Sequence, residues 1–149
     1  MFGKIVRNAV PAVVLAAAVA VPAGADEARL AQGLDQACLA LAGDPLHAPA
    51  RMSESFYWTF RQAPSLLDFR MIRDDTQIFL SITDAGARCV VTDLRAPPTA
   101  ALIETVLERR FPGAWAANGG AWSVSGETPL AVRLTETESG AGVAVETGS

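Results

Sequence analysis

Apolar and polar residues alternate most regularly over Thr76 to Asp93 (T-Q-I-F-L-S-I-T-D-A-G-A-R-C-V-V-T-D). Ile78, Leu80 and Ile82 fall on one face of a first run, and Cys89 and Val91 on one face of a second. Asp84-Ala85-Gly86 supplies the turn, so the stretch predicts a half-buried antiparallel hairpin. Upstream, Leu67, Phe69 and Met71 alternate with Asp68 and Arg70, which predicts a strand over 65–73. A turn at Asp74-Asp75 makes this a three-stranded meander. A second strand region opens at Gly119-Gly120: Trp122 and Val124, then Leu130, Val132 and Leu134, then Val143 and Val145 past a Ser139-Gly140 turn.

Helical spacing takes over in two places. Leu30, Leu34, Cys38 and Leu41 form one stripe over 26–42. Asp26 and Glu27 suit the positive end of the helix dipole there, and Gly43 and Pro45 stop the helix. From Thr99 to Phe111, Leu102, Ile103, Val106, Leu107 and Phe111 share a face; Thr99 is placed to cap this helix, and Pro112-Gly113 ends it. Met52 to Ala63 fits two templates, a short helix capped by Ser53 or a strand with Phe56, Trp58 and Phe60 on one side, and the helix is preferred. The expected fold is a small single α+β domain. Two amphipathic helices lie on one face of an antiparallel sheet of about six strands, built as a helix plus a three-strand meander, twice.

The first 25 residues read as an address rather than as part of that domain. Lys4 and Arg7 form a basic end, Val10 to Val21 is an apolar run of about 12 residues, and Ala23-Gly24-Ala25 is a small-residue cleavage site. The run is too short to span a bilayer, which takes about 20 residues. The expected arrangement is therefore a signal peptide over 1–25 and one exported domain over 26–149, its last few residues disordered, delivered to the periplasm or beyond.

Removing the leader lowers Lys+Arg from 12 to 10 against 16 acidic residues, a formal charge of about −6, and leaves no lysine. Nucleic acid and anionic lipid are poor partners for such a chain, and no membrane insertion is expected once the leader is cut. In an exported protein, two cysteines read as one disulfide. Cys38 lies on the apolar stripe of the first helix and Cys89 on the inner face of the hairpin, closing a loop of roughly 50 residues.

The remaining chemistry is a record of what the chain lacks. Without lysine there is no phosphate-loop lysine, no Ser-x-x-Lys site and no Schiff base. Ser123-Val124-Ser125-Gly126 is the nearest approach to a nucleophile elbow, and it sits in a strand rather than a strand-to-helix turn. The only histidine, His47, lies in a proline-rich loop. Neither catalytic residues nor a metal or cofactor is expected. The reading is a non-catalytic exported module whose partner is another envelope protein. The alternative is a carrier of a small apolar ligand held between helices and sheet, with an uncharacterised hydrolase third. Phe56, Tyr57, Trp58, Phe60 and Trp115 are the candidate binding surface, as an exposed partner face or as the lining of a pocket.

Overall fold

The computed structural model describes residues 21–43, 59–62, 68–83 and 85–147. Helix α1 (Val21–Gly33) runs without a break into a π-helical turn, Leu34–Cys38, and a 3-10 turn, Leu39–Ala42. Four strands follow: β1 (Thr59–Gln62), β2 (Asp68–Arg73), β3 (Thr76–Thr83) and β4 (Gly86–Asp93). Helix α2 (Ala100–Arg110) then leads into four more: β5 (Trp115–Ala117), β6 (Ala121–Val124), β7 (Leu130–Thr137) and β8 (Gly140–Thr147).

All eight strands form one antiparallel sheet in the order β1-β2-β3-β4-β8-β7-β6-β5. Among the described residues, each half is thus a helix followed by a four-strand meander. The last strands, β4 and β8, pair at the centre, and the first strands, β1 and β5, form the two outer edges. The sheet is larger than the six strands expected from sequence, and the additions are these two edges. Thr59–Gln62 corrects the preference for a helix across Met52 to Ala63: these residues pair with β2, Thr59 opposite Ile72 and Gln62 opposite Phe69. Sheet pairing decides against the helical template at that end. Residues 52–58 of the same stretch lie outside the described residues, as does His47.

Cross-strand rows show why the alternating pattern works. Residues directly opposite in an antiparallel pair point to the same face. Leu80, Cys89, Val145, Val132 and Trp122 form one such row, and Met71, Ile78, Val91 and Val143 another. All nine are buried and share a single core with Leu30, Leu34, Cys38 and Leu41 from α1 and its continuation, and with Ile103, Val106 and Leu107 from α2. Thr99 caps α2 as its position predicts, its hydroxyl accepting from the Leu102 amide at 3.2 Å. The first helix differs in one respect. Its described part reaches back to Val21, five residues ahead of Asp26.

The two central strands approach closely at Gly142, which faces Thr92. A Cβ there would lie 2.7 Å from Thr92 Cγ2 and 2.8 Å from the Val91 carbonyl oxygen. Backbone cannot move aside in the middle of a ladder. Gly142→Ala is expected to cost about 2 kcal/mol, read as a lowered urea midpoint with an unchanged slope.

The Cys38–Cys89 disulfide links the π-helical turn to β4, with both residues fully buried and Cα atoms 5.1 Å apart. No described cysteine is free. A disulfide is compatible with an oxidising, exported location. Among the described residues no helix is long and apolar enough to cross a membrane.

Candidate functional site

The residues singled out from sequence fall in separate places. Cys38 and Cys89 are joined in the core, as expected from the two patterns that carry them. Phe56, Tyr57 and Trp58 lie outside the described residues. The backbone of Phe60 is in β1 and Trp115 is in β5, at opposite edges of the sheet. Seven inter-strand steps of about 4.8 Å put those two strands about 34 Å apart along the sheet. The topology does not bring Phe60 and Trp115 together.

Trp115 instead belongs to a groove between the edge strand β5 and helix α2. Ala101, Glu104, Thr105, Glu108 and Arg109 recur at helical spacing on one flank of α2 and form one wall; Trp115 forms the floor, and the groove has a volume of about 620 Å³. Most of its wall is apolar. Two indoles fix the helix over the sheet: Trp115 Nε1 donates to Glu108 Oε2 at 2.7 Å, and Trp122 Nε1 donates to Glu104 Oε1 at 3.0 Å. Glu104 and Glu108 are one helical turn apart, and Trp115 and Trp122 lie on neighbouring strands. The sequence reading missed this device, although the i, i+4 glutamates on the polar face of a predicted helix were its visible half.

The strand that borders the groove is made by a turn the sequence does encode. Asn118 and Ala121 exchange both backbone hydrogen bonds, at 2.7 and 3.3 Å, across Gly119 (φ +59°) and Gly120 (φ +88°). Two consecutive positive φ values are the requirement of the tightest hairpin turns, and Asn-Gly-Gly meets it. Gly119-Gly120 therefore joins β5 to β6 rather than merely opening β6. The Ser125 amide bonds the Ala114 carbonyl at 2.8 Å. Hydrogen-bonded pairs alternate along the ladder, so the inward-bonding residues are Ala114, Ala116 and Asn118. The amides and carbonyls of Trp115 and Ala117 point to the open edge.

Two other features lie apart from this groove. A cleft of about 750 Å³ beside α1 is lined by Arg29, Gln32, Asp35, Gln36, Arg73 and Arg109. Its cations are engaged within the chain: Arg29 with Asp26 and Asp74, Arg109 with Asp35, and Arg73 with Gln32. On the sheet face away from the helices, Glu146 accepts from Arg88 at 3.0 Å and Arg133 at 2.8 Å. Burial pushes the Glu146 carboxyl up, but the two guanidinium hydrogen bonds and their charges outweigh it and hold the group below the ordinary value. A depressed folded pKa contributes stability above the unfolded value, and that contribution is lost as pH falls through the folded one. Glu146→Gln is therefore expected to lower stability at pH 7 by about 0.5–1 kcal/mol, the scale of exposed pairs. The difference from wild type should fade below about pH 4, which urea titrations at several pH values would read.

Among the described residues no group of three or more His, Cys, Asp or Glu side chains stands in position to hold a metal ion. No protein-family model, curated protein or solved structure matches this chain at a significant level.

Proposed function

We propose that this protein is a non-catalytic binding module of the bacterial envelope, exported to the periplasm by its leader and engaging another protein there. One observation carries the reading: the space between helices and sheet is filled with side chains, while the β5–α2 groove beside an open sheet edge is not. Leu30, Leu34, Cys38, Ile78, Cys89, Val91, Ile103, Leu107 and Val143 are all 0% exposed. A carrier of an apolar ligand would need a cavity where these side chains interdigitate, so the carrier stands second. The paired arginines and the partnered glutamates give the protein binding surface rather than converging groups for a reaction.

Chemical crosslinking in intact host cells tests the reading. A discrete heteromeric species containing this chain, of one mass across crosslinker concentrations, is expected. A monomer band alone, under conditions that trap known envelope complexes, would overturn it.

A further inference from the structure

The geometry points to strand addition at β5: the module captures an extended segment of its partner as a ninth strand, laid into the β5–α2 groove, with a lysine or arginine facing Glu108. This rests on the binding-module reading and gives it a surface and a ligand chemistry.

Three observations converge on it. The first is backbone supply. Trp115 and Ala117 direct two amides and two carbonyls outward, the set an incoming antiparallel strand needs to dock over a three-residue span. The second is the difference between the sheet's two edges. Natural sheets guard their edges with charged residues and proline. The β1 edge (T-F-R-Q) carries Arg61, whereas β5 (W-A-A) carries neither charge nor proline, and Ala116 and Ala117 are exposed.

The third is what the incoming side chains would meet. Alternate side chains of an added strand point to the helix side. There they would contact the half-buried Trp115 ring and the small residues Ala101 and Thr105 of α2. Beside these, Glu104 and Glu108 each spend one carboxylate oxygen on an indole. Among the described residues the groove's one cation is Arg109, which faces Asp35 at 3.9 Å. Two carboxylates against one shared guanidinium, on a chain of net charge −4, select a basic strand over an acidic one. The matching segment therefore places small apolar residues and a lysine or arginine together on its alternate, helix-facing positions.

The probe is a capped eight-residue peptide with threonine at every second position and valine and lysine by turns between them (Val–Lys), with a counterpart in which glutamate replaces lysine (Val–Glu). It is titrated into 15N-labelled protein recovered after export. The Val–Lys peptide is expected to shift the Trp115 and Ala117 amides and the Trp115 indole in a saturable way, while the Val–Glu peptide leaves them in place. Ala117→Pro removes an outward amide without touching a β5–β6 hydrogen bond, and should weaken the peptide at least tenfold; Glu108→Gln should weaken it several-fold. Unmoved Trp122 and β7 amides establish that the Pro variant is folded. If they move, amide exchange on the wild-type protein decides: Trp115 and Ala117 must gain protection with the Val–Lys peptide. Absence of shifts at millimolar peptide, equal response to both peptides, or shifts confined to other residues would overturn strand addition. A partner that crosslinks equally to wild type and Ala117→Pro would also overturn it, yet leave the binding module standing.

Discussion

Replacing Cys38 and Cys89 together by alanine is expected to lower stability by about 4 kcal/mol. The bridge closes a loop of 51 residues, and in the chain-entropy model a loop of that length restricts the unfolded chain by about this much. The native side adds to the effect. Both residues are fully buried, and they join the π-helical turn after α1 to β4, one of the two strands at the sheet's centre. Without the bridge, α1 is held to the sheet by side-chain packing and by the polar contacts of Gln32 with Arg73 and Arg29 with Asp74. In a domain of this size, 4 kcal/mol corresponds to a fall in Tm of roughly 10–20 °C. Alanine is the informative substitute, because serine would also bury a hydroxyl without a partner. Thermal unfolding of the double variant beside wild type reads the effect directly. An unchanged Tm, together with a wild-type mass that corresponds to two free thiols, would contradict it.

The second large effect is expected at Asp93, the last residue of β4. Its side chain is buried at 4% exposure and accepts three hydrogen bonds: from Thr76 Oγ1 at 2.6 Å, the Arg95 amide at 2.8 Å and the Ala96 amide at 2.9 Å. One carboxylate oxygen ties the chain across to the start of β3, where Thr76 is fully buried; the other turns the backbone out of the sheet toward α2. Asp93→Ala leaves two amides in a part-buried turn without their acceptor. An unsatisfied buried donor costs about 1–3 kcal/mol, so a total near 3 kcal/mol is expected. Asp93→Asn keeps an oxygen for the two amides, and the Thr76 hydroxyl can rotate to accept from the new NH₂. Its cost should be about 1 kcal/mol. Urea unfolding of both variants checks the order. Equal losses for Ala and Asn would mean that the turn does not depend on the acceptor.

What could be read from sequence follows the strength of the local signals. The alternation over β3 and β4 and the helical stripes are long enough to be decisive, and they placed both cysteines on facing apolar surfaces. The element order came from the same signals, up to the count of strands. Both omissions are edge strands, where one neighbour is missing and burial no longer enforces alternation. β5 is only Trp115–Ala117, too short to show a period. Its signal was the turn chemistry of Asn118-Gly119-Gly120 rather than any hydrophobic pattern. β1 was hidden by an aromatic-rich stretch that suits a helix and a strand equally well. Asp93 was legible only as the end of a strand. Its role depends on Thr76 standing opposite it in the register, which no local pattern reveals. The groove is likewise a product of packing: Glu104 and Glu108 face Trp122 and Trp115 because α2 lies over β5 and β6, a placement that sequence spacing does not fix.

The most direct test of the binding-module reading is native mass spectrometry on the protein purified gently from the envelope fraction of its host. The expected spectrum contains a complex of this chain with one other protein at a fixed ratio, which separates on denaturation into that protein and a chain two hydrogens lighter than its sequence mass. A small-mass adduct lost on denaturation would contradict the reading and favour the carrier. A bare monomer at every purification strength would contradict it as well.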